Sequence, residues 1–135
     1  MLRRFEHDDP FSRLRPVIGA ADIVALQAQR AQVTVGDAVR AYVLDVVRAT
    51  RDDERVLLGA SPRAALSLHR AIQGRSLVEG RSFALPDDVK ALAGDVLSHR
   101  LVLNTGARLR AETAEGVIAS VLDAVTVPVE EEATG

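Results

Sequence analysis

The sequence predicts an all-α protein, a bundle of four or five helices with at most a very short strand near residues 33–35 or 101–103. Three observations carry that prediction. Apolar residues recur at helical spacing in several separate segments. With 47% apolar but only 3% aromatic residues, the core must be built from Ala, Val and Leu, side chains small enough for close helix packing. Finally, Ser, Thr, Gly and Pro stand where such helices should start and stop. At 135 residues the chain has the length of one domain and can bury roughly two-thirds of its unfolded surface.

The elements follow in order. Residues 1–16 are polar and irregular, and Pro10 and Pro16 argue against a continuous helix. A first helix is expected over residues 20–30, with Gly19 at its cap and Ile23, Leu26 and Arg30 on one side. A second opens at Thr34-Val35-Gly36-Asp37, with Thr34 as the cap and Asp37 placed like the acid of a capping box. Its stripe is the clearest in the chain: Val39, Tyr42, Val43, Val46, Val47 and Thr50 keep the i, i+3, i+4, i+7 pattern. Arg51-Asp52-Asp53-Glu54-Arg55 reads as a solvated charged loop rather than a metal site.

The third helix should run from Pro62 to about Glu79 and stop at Gly80. Ala64, Ala65, Leu68, Ala71 and Ile72 cover one face, which Leu66 and Leu77 extend, so it belongs at the centre of the bundle. Pro86 starts the fourth, with Asp87 and Asp88 in its first turn. Leu85 at the cap lacks a side-chain acceptor, at a cost of about 1 kcal/mol. Val89, Leu92, Ala93, Val96 and Leu97 are its buried stripe. Residues 101–103 fit a short strand or a helix tail, Asn104-Thr105-Gly106 turns the chain, and a last helix spans about 113–124 with Ala114, Val117, Ile118, Val121, Leu122 and Val125 on one face. Residues 128–135, with Glu130-Glu131-Glu132, read as an acidic, disordered tail.

Function is sought in Gly59-Ala60-Ser61-Pro62-Arg63-Ala64. Ser61 is a good N-cap and Pro62 suits the first helical position. Arg63 then falls in the first turn, at the positive end of the helix dipole, where a cation is disfavoured by up to about 1 kcal/mol. The same end, with its free N–H groups, receives anions. A solvated arginine is the plain alternative; a phosphate contact would give the misplaced cation a purpose.

Other chemistries find little support. The chain has no cysteine, hence no disulfide and no thiolate zinc site. His7, His69 and His99 share no metal-ligand or catalytic-dyad spacing, and no metal site is expected. Lys90 is the sole lysine and lies between Val89 and Ala91, so no Walker A loop is present. A net charge of −2 and three Phe with one Tyr argue against nucleic acid as a partner. No apolar run approaches 18 residues, so no membrane segment is expected, and a cytoplasmic setting is the default.

The ordered series Val47-Arg48-Ala49-Thr50-Arg51, Gly59-Ala60-Ser61-Pro62-Arg63-Ala64-Ala65, Glu79-Gly80-Arg81, Phe83-Ala84-Leu85-Pro86-Asp87-Asp88-Val89 and Leu97-Ser98-His99-Arg100-Leu101 resembles the C-terminal lid of a MoxR-type AAA+ ATPase. The resemblance runs from about Leu14 to Pro128. It implies a linker from an AAA+ core over residues 1–16, a helical lid over 17–127 and a tail over 128–135. It further implies that Arg63 is the second sensor, reaching the terminal phosphates of ATP, with Ser61 and Pro62 setting the helix start. Arg70 and Arg75, farther along that helix, read as solvent or interface contacts. ATP and Mg2+ are then cofactors of the complete protein, with no tight binding expected of this chain alone, and the chain alone is not expected to be an ATPase. The implied partners are the AAA+ core, neighbouring subunits of a ring, commonly hexameric, and a client with a von Willebrand A domain, on which the complex does chaperone-like remodelling. A free-standing helical protein–protein interaction module, with no link to nucleotide, is the alternative.

Overall fold

The computed structural model describes residues 14–128; the expectations for the segments outside that range, including His7 and the glutamate tail, lie outside the described residues. Six helices and two short strands follow in the order α1 (Ala20–Arg30), α2 (Asp37–Asp52), β1 (Val56–Leu58), α3 (Pro62–Val78), α4 (Pro86–Leu97), β2 (Val102–Leu103), α5 (Thr105–Leu109) and α6 (Ala114–Ala124), with one 3-10 turn over Ser98–Arg100 after α4. The fold is the expected helical bundle with a minor two-stranded element.

The α2 stripe is buried as its spacing requires: Val39, Tyr42, Val43, Val46, Val47 and Thr50 all face the interior. The centre is α3, which packs on α4, α2 and α1, while α6 closes the bundle against α2 and α4. Ala64, Ala65, Leu68 and Ile72 of α3 meet Val89, Ala93 and Leu97 of α4 and Val117, Ile118 and Val121 of α6 in one continuous core. Alanines at the contacts bring the helix axes close, in place of the aromatic rings the chain lacks.

Several local readings are corrected. Thr34 does not cap α2. Gly36 takes that position, and Thr34 forms an isolated parallel bridge with Phe83, its N–H donating to Ser82 O at 2.9 Å and its carbonyl accepting from Ala84 N at 2.9 Å. A strand contact to another segment thus outcompetes a local cap. The first helix has no buried residue, and Ile23 and Leu26 remain 42% and 43% exposed. Leu66 is 59% exposed and does not extend the core face of α3.

Residues 102–103 are strand, paired antiparallel with β1, Val56 opposite Leu103 and Leu58 opposite Val102. The charged loop expected over residues 51–55 is shorter: α2 runs through Arg51 and Asp52, and β1 follows Arg55 directly. The Asn104 turn is the start of α5: Asn104 Oδ1 accepts from Ala107 N at 2.9 Å, an N-cap bond. Leu85 is the N-cap residue of α4, as placed, with no side-chain acceptor.

Candidate functional site

Ser61 Oγ accepts from Ala64 N at 3.3 Å, and Pro62 occupies the first helical position, so α3 begins where its sequence says. Arg63 follows in the first turn and is exposed. Its carbonyl accepts from Ser67 Oγ at 3.1 Å, but its guanidinium takes part in no hydrogen bond or ion pair among the described residues.

The chain leading into this turn is held firmly. Ala60 is fully buried; its N–H donates to Thr50 Oγ1 at 3.0 Å and its carbonyl accepts from Arg51 Nε at 2.7 Å. Thr50 Oγ1 in turn donates to Val47 O at 2.7 Å. Gly59 approaches the end of α2 so closely that a Cβ there would lie 2.7 Å from Arg51 Cα and 2.8 Å from Thr50 O. Glycine is therefore required for close approach. The final turn of α2 thus holds the residues that set Arg63. By spacing alone, Thr50 is a stripe residue and Arg51 the start of a loop. The usable signal was Thr-Arg before a Gly-Ala pair, because only a residue without Cβ lets two backbones meet there.

The opposite end of α3 is organised differently. Gly80, at φ +74, stops the helix: Gly80 N donates to Leu77 O at 3.0 Å and Arg81 N to Ser76 O at 2.8 Å, the Schellman arrangement. Arg81 then grips Asp88 with two parallel bonds, Nη2 to Oδ1 at 2.7 Å and Nη1 to Oδ2 at 2.9 Å. Asp88 is 2% exposed and also accepts from Leu85 N at 2.8 Å, Ser76 Oγ at 3.1 Å and Arg75 Nε at 3.1 Å. Burial alone would raise its pKa. The bonds from Arg81, Leu85 N–H and Ser76 outweigh burial and hold the carboxyl below the usual range. The same bond to Asp88, and one to Glu79, raise the guanidinium pKa of Arg81. Arg75, expected at solvent or an interface, instead pairs with Glu79 at 2.9 Å as well as with Asp88. By position Asp88 is a first-turn dipole residue; in the fold it is the hub joining α3 to α4.

Asp53 in the charged loop faces Arg55, Oδ2 to Nη2 at 2.6 Å, and the bonds from Arg55 lower its pKa against the opposing effect of burial. Among the described residues no three potential ligands gather around a metal position, and no helix is long and apolar enough to cross a membrane. His99 is exposed, and His69 is half-buried on α3.

The family model for the AAA lid domain matches residues 48–121, from the end of α2 through most of α6. The chain belongs to that family. The lid is 37% identical over 123 residues to Chaperone MoxR1 of Mycobacterium tuberculosis, covering 84% of this chain and 33% of that protein. It is 34% identical over 128 residues to the uncharacterized protein YeaC of Bacillus subtilis, covering 95% of this chain and 40% of YeaC. A solved structure from Cytophaga hutchinsonii, named as a candidate ATPase, superposes with a TM-score of 0.86 at 25% identity, over 95% of the lid and 42% of that chain. The lid therefore spans about a third to two-fifths of the curated relatives first matched. It is a lid domain of the MoxR type of AAA+ ATPase.

Proposed function

We propose that the lid serves as the phosphate-sensing half of an ATP site, with Arg63 as its second sensor. The observation that carries this reading is an exposed arginine in the first turn of α3 whose guanidinium has no partner among the described residues, set on a backbone anchored to α2. A cation there opposes the dipole of its own helix, so its benefit must come from an anion. Phosphoryl transfer is accelerated mainly by positioning and by neutralising charge on the phosphoryl oxygens. A planar guanidinium suits that work better than an ammonium.

ATP and Mg2+ would be held chiefly by the α/β core that precedes lids of this type, and ATP would supply the transferable phosphoryl group. Arg63 would reach the terminal phosphates only when lid and core close, so nucleotide state becomes a lid rotation about the linker over residues 1–16. Residues 17–127 then act as one rigid lever. In a ring, commonly hexameric, that motion would drive chaperone-like remodelling of a client, with a von Willebrand A domain protein as the partner the resemblance implies.

The test needs the full-length ATPase. Arg63→Ala should leave the lid folded and lower hydrolysis about tenfold to a thousandfold. Arg63→Lys should recover only part of the rate. Arg108→Ala, an exposed arginine on α5, should match the parent. Equal rates for parent and Arg63→Ala, both folded and assembled, would refute the sensor reading and leave the interaction-module alternative.

A further inference from the structure

Beside the Arg63 turn, α2 and α3 leave a shallow groove of ≈ 480 Å³. Its floor is apolar: Val43, Leu44, Pro62, Ala65 and Leu66, with Arg40 and His69 also lining it. Leu44 and Leu66 are 45% and 59% exposed. Past Arg40 and His69 the groove continues into a polar notch that includes Gln73. From Pro62 to His69 it covers about 10 Å of helix, roughly two turns.

Arginines outnumber carboxylates around it. Arg40 comes from α2 and lines the groove, while Arg70 of α3 and Arg30 at the end of α1 lie close enough to act on the His69 imidazole. Burial first, then the fields of Arg40, Arg30 and Arg70, hold the His69 imidazole below its ordinary pKa. The carboxylate paired with this cluster is Asp37, 3.1 Å from Arg40 and with a side chain 96% exposed. Arg40 Nε is committed to Val35 O at 2.7 Å, which fixes its guanidinium beside the groove. Arg30 Nε is buried and has no hydrogen-bond partner among the described residues. A chain of net charge −2 thus gathers cations around an apolar floor.

We propose that this groove docks an amphipathic helix of a partner protein, with apolar side chains on Leu44 and Leu66 and carboxylates on Arg40 and Arg70. A groove between two helices accepts a third by ridge-and-groove packing. Apolar anchors supply the buried area, and the flanking charges select an acidic partner and set its direction. A nucleic acid would find the cations but leave the leucines uncovered. The proposal does not depend on nucleotide sensing by Arg63.

The test uses the 135-residue chain and a designed, fluorescein-labelled 16-residue helix, with leucines at i, i+4 and i+7 and glutamates on both flanks. Fluorescence anisotropy at physiological salt should show saturable binding, with backbone amide shifts concentrated in residues 40–44 and 62–70. Replacing the probe's glutamates with glutamine, or its leucines with serine, should weaken binding about tenfold or more. Arg40→Glu, Arg70→Glu and Leu66→Ser in the chain should do the same, whereas Arg108→Glu should not. Any of four results overturns the proposal: no binding, equal binding of the glutamine probe, shifts mapping elsewhere, or equal competition by heparin or a short DNA duplex. Self-association of the chain that Leu66→Ser abolishes would assign the groove to a second copy and overturn it too.

Discussion

The two ends of α3 handle arginine in opposite ways. At the C-terminal end, Arg75 and Arg81 are committed to Glu79 and Asp88, and the Asp88 carboxylate also satisfies Leu85 N–H and Ser76 Oγ. At the N-terminal end, Arg63 has an anchored backbone and a head with no partner among the described residues. The difference separates two uses of one side chain. An arginine with its donors filled by carboxylates holds helices together, whereas one with open donors on a fixed backbone is available to a ligand. Charge alone does not distinguish them; the partners do.

The contrast can be broken from the committed end first. Asp88→Ala should cost about 3–5 kcal/mol, because it strands guanidinium, hydroxyl and amide donors around a buried hole. Denaturant unfolding measures this, and a midpoint within error of the parent would mean that water replaces the carboxylate at no cost. Acid dissolves the same contact without mutation. The folded pKa of Asp88 lies below its unfolded value of about 4, so its contribution is complete above that value and is lost as pH falls through the lower folded pKa. Asp53 acts in the same sense. Stability plotted against pH should therefore fall below about pH 4, and Asp88→Asn should flatten part of that slope.

The anchored backbone at the other end is tested by Gly59→Ala. The new methyl meets backbone atoms of α2 at less than 3 Å, and overpacking of this kind costs about 2–3 kcal/mol. The same variant in the full-length protein should also lower hydrolysis, since it moves Arg63 without removing it. An unchanged melt would show that the loop can shift freely. Gly80→Ala is milder. No atom lies near the added methyl, so only the left-handed backbone is penalised, by about 1 kcal/mol on thermal unfolding. The smallest effect belongs to Arg63→Ala: the melt should move by less than about 0.5 kcal/mol, because no contact is lost and an unfavourable dipole term is removed. A larger loss would show that Arg63 is a structural arginine like Arg81.

Much of this contrast could be read from the residues alone, but unevenly. Ser61, Pro62 and Gly80 act through bonds spanning a few residues, and they bounded α3 correctly. The α2 and α4 stripes were legible because periodicity records which face meets the core. Thr34, β1 and α5 were not. Thr34 answers to Phe83, nearly fifty positions away in the chain, and β1 has three residues with an irregular register, too few to show alternation. Asn104 was seen as a turn because its five-residue helix is shorter than any periodic pattern can register. The Arg81–Asp88 pair was hidden for a related reason. Both residues stand in the quoted motifs, and Asp88 is legible as a first-turn acid, yet no spacing rule says that two arginines from across a turn would join it.

The hydrogen bond from Ala60 N–H to Thr50 Oγ1 also has a consequence in time. Although it lies in a connecting segment, that amide is buried and bonded to the end of a core helix, so its hydrogen exchange should follow opening of the core rather than loop breathing. The backbone beneath Arg63 is then quiet from nanoseconds to the lifetime of the fold, while the guanidinium reorients among rotamers in picoseconds to nanoseconds. Between those scales this segment offers Arg63 no slow motion of its own. If Arg63 meets a phosphate as proposed, its millisecond arrival and departure would have to come from the whole domain moving, and the Ala60 amide would remain protected throughout each excursion.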